Sequence, residues 1–116
     1  KSMKSNLTSK DLYNLMYDIR YSTGTHSFQN HWSIIDQFIV SGNLMMSNTT
    51  TQVYRQTAQI FDMPFLIVEG ATGATRPFRT YQGPKYLGGY SDHLPILLDL
   101  ILQVHLSHLF FFVLFE

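Results

Sequence analysis

The run from Trp32 to Ser41 constrains the fold more than any other segment. Its centre, Ile34-Ile35-Asp36-Gln37-Phe38-Ile39-Val40, is rich in β-branched and aromatic residues, which fit a pleated strand. Successive side chains of a strand point to opposite faces, so a run apolar at both parities reads as a strand covered on both sides. Layered α/β folds supply that cover. Composition points the same way. The chain has 116 residues, enough for one small core, and 45% of them are hydrophobic. Only 14% are charged, against a typical value of about 25%. A body this small has much surface to solvate, so a chain so poor in charge buries surface against something else or is a piece of a larger fold.

The expected elements fall around that strand. Thr8 to Arg20 reads as a helix: Thr8 and Asp11 fit a capping box, and Leu12, Leu15, Met16 and Ile19 recur at helical spacing. Tyr21 to His31 reads as a polar loop. Gly42-Asn43 ends the strand with turn chemistry. Val53 to Phe61 is ambiguous between a short strand and a helical turn, and Phe65 to Val68 reads as a short extended piece. Glu69 to Lys85 holds Gly70, Gly73, Pro77, Gly83 and Pro84 and reads as a long loop, of the kind more often functional than idle. Ile96 to Leu102 is a further strand. Beyond it, Leu109 to Phe115 is continuously apolar yet too short to span a bilayer. That end reads as a buried terminal strand or as a tail foreign to the original fold.

Chemistry concentrates in Gly88-Gly89-Tyr90-Ser91-Asp92-His93-Leu94-Pro95, a tight loop that delivers a carboxylate and an imidazole to the mouth of a strand. His93 can exchange a proton near neutral pH without assistance. The pair taken alone also fits a turn with a hydrogen-bonded histidine. Asp36 adds weight to the functional reading. It shares a strand side with Ile34, Phe38 and Val40, and an unpaired carboxylate facing an apolar layer is costly. A structural hydrogen bond would satisfy it. So would a proton-bearing nitrogen of His93, in the manner of an Asp-His dyad. Asp92 could cap its turn or act as a hard oxygen ligand for a divalent cation. Asp18, Asp62, Glu69 and Asp99 have no metal-site spacing and read as surface or turn groups. Arg76, Arg79 and Lys85, mixed with Tyr81 and Tyr86, could contact phosphate and base or sugar, or could be a solvated loop with packed aromatics. His26, His31 and Trp32 precede the strand of Asp36 and could line the same mouth. His105 and His108 receive no role.

Other classes are narrowed by what the chain lacks. It has no cysteine, which removes disulfides, thiolate catalysis and cysteine zinc sites. Eight basic and eight acidic side chains cancel, so the long-range attraction of a dedicated nucleic-acid binder is missing from this segment. A phosphate substrate held through a metal ion is still compatible with that balance. Lys1 to Asn6 is polar, so no signal peptide is visible here, and the natural N-terminus is expected upstream. The compartment is undecided.

Two segments together resemble a known family. Trp32-Ser33-Ile34-Ile35-Asp36-Gln37-Phe38-Ile39-Val40-Ser41 resembles the W-x-x-I-D-x-x-x-x-S strand of the endonuclease/exonuclease/phosphatase superfamily. Gly88 to Ile96 resembles its closing G-x-S-D-H-x-P motif, and Arg76-Pro77-Phe78-Arg79-Thr80-Tyr81 is similar to its bacterial branch. The resemblance runs from about Leu7 to Leu102. It implies a metal-dependent phosphoesterase on a four-layer α/β sandwich. His93 would act as general base or acid at the scissile phosphate, Asp36 would orient it, and Asp92 would help hold Mg2+ or Mn2+. Trp32, Ser91 and Arg79 are the expected substrate contacts.

The family's metal-binding glutamate and asparagine, and its central D-x-N pair, have no counterpart here. The expected fold is therefore the C-terminal half of the sandwich, one mostly antiparallel sheet with a flanking helix, incomplete alone. Residues 1–102 would form that part and 103–116 an atypical, non-family tail. The expected partners are a phosphate-ester substrate, nucleic acid among the candidates, and the missing N-terminal half, which would bring the main metal ligands. Two other readings compete: a non-catalytic interaction module or truncated fragment, and a membrane-associated piece using Leu94 to Phe115.

Overall fold

The computed structural model describes residues 6–19, 23–46, 50–54, 57–103 and 109–113. The chain divides into two compact units. The first is drawn from Lys1–Arg20, Gln37–Gln59 and Leu97–Glu116, the second from Tyr21–Asp36 and Ile60–Ile96.

In the first unit, the strand Leu12–Asn14 pairs antiparallel with Ile39–Ser41, with Tyr13 opposite Val40. Tyr13 is fully buried, and Leu15, Met16, Ala58 and Leu98 complete the buried apolar set. The Tyr13 hydroxyl donates to the Asn6 carbonyl at 3.0 Å and accepts the Thr8 N–H at 2.7 Å. Leu12 and Ile39 lie on the opposite face of this pair and are exposed. A second sheet has Asp99–Gln103 as its central strand, antiparallel to Thr51–Val53 on one side and to Leu109–Val113 on the other.

Hairpins dominate the second unit. His26–Phe28 pairs with His31–Ser33 across a two-residue turn in which Gln29 and Asn30 both have positive φ, 48° and 64°. That is the turn geometry whose twist matches paired strands. Ile67–Glu69 pairs with Thr75–Pro77, closed by Gly70 N–H to Ala74 O at 2.8 Å. Tyr81–Gln82 pairs with Lys85–Tyr86. The buried residues here include Thr25, Ser27, Ile60, Leu66, Pro77 and Leu94.

This is not the helix-flanked α/β sandwich expected from the sequence. The described residues hold thirteen strands in small sheets, short 3-10 turns at Gly42–Met45 and Pro64–Leu66, and no α-helix. The Thr8 to Arg20 helix is absent over its described residues. Thr8 Oγ1 does donate to Asp11 Oδ2 at 2.7 Å, but this exposed bond caps no helix. Burial of Tyr13 and pairing with Ile39–Ser41 outweigh a helical spacing worth only tenths of a kcal/mol per residue, to order of magnitude. The Trp32 to Ser41 run is not one strand covered on both sides either. It is strand only at its ends, His31–Ser33 and Ile39–Ser41. Between them burial alternates: Ile34, Phe38 and Val40 are half-buried, while Ile35 and Ile39 are exposed. Likewise the polar loop and the long glycine-rich loop are largely hairpins, and the apolar end pairs over Leu109–Val113. No helix among the described residues is long and apolar enough to cross a membrane.

Tyr13 offers a direct test of what holds the first unit. Tyr13→Ala is expected to cost about 3–5 kcal/mol of unfolding free energy. Tyr13→Phe, which strands only the Thr8 N–H and Asn6 carbonyl, should cost about 1–2 kcal/mol. Urea unfolding followed by fluorescence measures both.

Candidate functional site

The site is built around a buried threonine. Thr25 is fully buried next to Gly24, where an added Cβ would overlap the Ser33 carbonyl. The Thr25 N–H donates to Ser33 O at 2.9 Å, and its carbonyl accepts the Leu94 N–H at 2.7 Å. Its hydroxyl accepts the N–H groups of Ile35 at 3.1 Å and Asp36 at 3.3 Å. A side chain that captures backbone donors in this way competes with a strand ladder. The N–H groups of Ile35 and Asp36 are thereby spent on Thr25 and not on a strand partner.

His93 arrives from the other direction. Its loop is shaped at Gly89, where a Cβ would overlap the Phe78 carbonyl, and by the Tyr90 N–H donating to Phe78 O at 2.6 Å. Thr80 Oγ1 donates to the carbonyls of Gly89 and Tyr90. The Ser91 hydroxyl accepts the His93 N–H at 3.1 Å, a local turn bond. An isolated antiparallel bridge joins His93 to His26. These constraints place His93 Nδ1 2.9 Å from Asp36 Oδ2 and 3.1 Å from Oδ1. The two residues lie 57 positions apart in sequence. Their side chains are 35% and 33% exposed, so the contact is sheltered yet open to solvent on one side.

With Nδ1 donating to a carboxylate, the imidazole is held in the tautomer that keeps its lone pair on Nε2. The tautomer follows from this hydrogen bond. Around it stand two further ligating groups. The rings of His26 and His93 have centroids 4.9 Å apart at a tilt of 51°. One ligand atom from each of His26, Asp92 and His93 falls within 4.8 Å of the others.

Asp36, Asp92 and His93 are thus brought together. Ser91 shapes the loop through its hydroxyl. Trp32 lies on the hairpin strand next to His26 and donates its indole N–H to Thr75 Oγ1 at 3.2 Å. Arg79 is half-buried, and its Nε has no hydrogen-bond partner among the described residues. Arg76 donates to Gln82 Oε1, and Asp62 accepts the Thr23 hydroxyl. His26, expected to line the same mouth, does stand beside His93. It is brought there by the hairpin turn at Gln29-Asn30, the antiparallel bridge to His93 and the Thr25 to Leu94 bond. Gln-Asn is a weaker hairpin signal than Asn-Gly.

A solvent-open imidazole backed by a carboxylate, with a second carboxylate next to it, is the kind of site that moves protons during hydrolysis. The family comparison gives that class its place. The model of the endonuclease/exonuclease/phosphatase family matches residues 1–102, and the chain belongs to that family. Its members are phosphoesterase- and nuclease-type hydrolases that generally use divalent metals. No curated protein and no solved structure matches the chain.

Replacing Thr25 tests the scaffold of the site. Thr25→Val should destabilise the protein by about 1–3 kcal/mol, because two backbone donors lose their acceptor. It should also speed solvent exchange of the His93 Nδ1 proton, seen by NMR. Thr25→Ser, which keeps the hydroxyl, should retain the slow exchange.

Proposed function

We propose that this chain supplies the proton-handling part of a metal-dependent phosphoesterase site. The observation that carries the reading is the Asp36–His93 hydrogen bond, made between two side chains that are each about one-third exposed, in a chain of this family. In this reading His93 Nε2 takes a proton from the attacking water or returns one to the leaving oxygen. Asp36 keeps the ring oriented and stabilises the imidazolium that forms in between. Ser91, through the His93 N–H, limits how far the ring can swing from the phosphorus.

Donor chemistry bears on the metal. Mg2+ takes an octahedron of oxygens, usually one or two carboxylates plus water and phosphate. Asp92 is the carboxylate in the cluster and is exposed. It would hold such an ion, Mg2+ or Mn2+, as one ligand among several, with the others contributed from outside these residues. When bound, the ion would supply Lewis-acid stabilisation of charge on the phosphoryl oxygens. In this reading residues 1–102 would be the family part of a longer chain. The substrate is a phosphate ester. Trp32, Ser91 and Arg79 are the candidate contacts, and nucleic acid is one candidate substrate.

The test is hydrolysis of bis-p-nitrophenyl phosphate with Mg2+ by the longer gene product that contains this chain. His93→Ala and Asp36→Ala should each lower the rate about 10²- to 10⁴-fold. Full activity in both variants would overturn the assignment. The 116 residues alone should turn over negligibly, since Asp92 is a single oxygen ligand.

A further inference from the structure

His26 is not needed for that chemistry. One imidazole oriented by one carboxylate suffices to move a proton, yet the hairpin holds a second imidazole 4.9 Å from the first, centroid to centroid. His26 is half-buried, so part of its hydration is already removed. Its backbone is tied to His93 by the antiparallel bridge and by the adjacent Thr25–Leu94 bond, which fixes where both rings start.

We infer that His26, Asp92 and His93 form a binding site for a first-row transition-metal dication such as Zn2+ or Co2+, distinct in its chemistry from a Mg2+ site. Two imidazole nitrogens and one carboxylate oxygen are a donor set suited to those borderline ions, whereas Mg2+ prefers oxygen. Ligands of one such ion at about 2.1 Å stand about 3.0–3.4 Å apart. Closing the three from within 4.8 Å needs a shift of about an ångström or a little more. Asp92 is exposed and free to make it by side-chain rotation.

Asp36 provides an independent sign of such a site. A metal-bound histidine typically donates its other ring N–H to a carboxylate, which fixes the tautomer and raises ligand basicity. His93 has that partner, Asp36 on Nδ1 at 2.9 Å. The nitrogen it leaves for an ion is Nε2. Three protein donors with open remaining positions describe a site that also accepts water or an anion.

Occupancy carries a consequence, which rests on the proposed hydrolase reading. An ion on Nε2 removes the lone pair that would take a proton, so Zn2+ would inhibit hydrolysis supported by Mg2+.

Binding is measured on the 116-residue chain itself, with no activity required, so failure here and failure of the hydrolase reading are separable. Calorimetric titration with ZnCl2 should give one site of micromolar affinity, not displaced by millimolar Mg2+. His26→Ala and Asp92→Asn should each weaken it at least about 10-fold, and Asp36→Asn should weaken it about 10- to 100-fold through His93. In the unaltered chain, where no folding defect can intrude, the ring 15N resonances of His26 and His93 should shift together on adding Zn2+. Absence of sub-millimolar binding, or His26→Ala and His26→Gln binding as tightly as the unaltered chain, overturns the site. So does a titration in which other histidines shift and these two do not.

Discussion

The Thr25 hydroxyl is the constraint on which the second unit turns. It accepts from Ile35 and Asp36 at 3.1 and 3.3 Å and sits 3.5 Å from the Ser33 carbonyl, to which it donates. One donor and two acceptor positions are all a hydroxyl has, so Thr25 is saturated. Its backbone is equally engaged, with Ser33 on the N–H and Leu94 on the carbonyl. A single buried residue therefore sets the backbone directions of Asp36 and, one residue removed, of His93. A buried hydroxyl with every bond made is rigid, because any displacement leaves a donor or acceptor without water to replace it.

That arrangement explains what could be read from the sequence and what could not. Asp36 and His93 were legible as partners because a carboxylate in an apolar run needs a donor, and the loop motif offered one of the right chemistry. The surrounding architecture was not legible. Leu12, Leu15, Met16 and Ile19 carry the helical spacing of their segment, yet Leu12 is exposed and Tyr13 is buried in a strand paired with Ile39–Ser41. The run from Ile34 to Val40 has apolar residues at both parities, which reads as cover on both faces. Ile35 and Ile39 are instead exposed. Parity reports which residues could be buried and says nothing about whether a layer exists to bury them. The hairpins at Gln29-Asn30 and across Gly70 and Gly83 lay inside stretches whose glycines and hydroxyls read equally well as loop.

The same distinction governs Ser91, Trp32 and Arg79. Each was legible as a polar or aromatic residue near the motif, and each is now held by a different force. Ser91 is spent on a turn bond and Trp32 on Thr75. Arg79 Nε is buried without a partner among the described residues. A buried donor without a partner is expensive, so Arg79 Nε has unfilled hydrogen-bonding capacity.

Asp36 does the same work in both chemistries considered for His93. A carboxylate on Nδ1 leaves a lone pair on Nε2, and a lone pair does not distinguish a water proton from a metal ion. The neighbours of Nε2 make the distinction. Proton transfer from water calls for access and one acceptor, and the one-third exposure of His93 grants the access. A second imidazole nearby adds little to that, and its partial burial has a desolvation cost. Held beside an exposed carboxylate, however, it completes a set of three convergent donors. The proposed shared ion would give this second imidazole a use that proton transfer alone does not. In the two proposed readings His93 would stand between mutually exclusive occupants of one nitrogen, and the free ion concentration would decide which of them holds it.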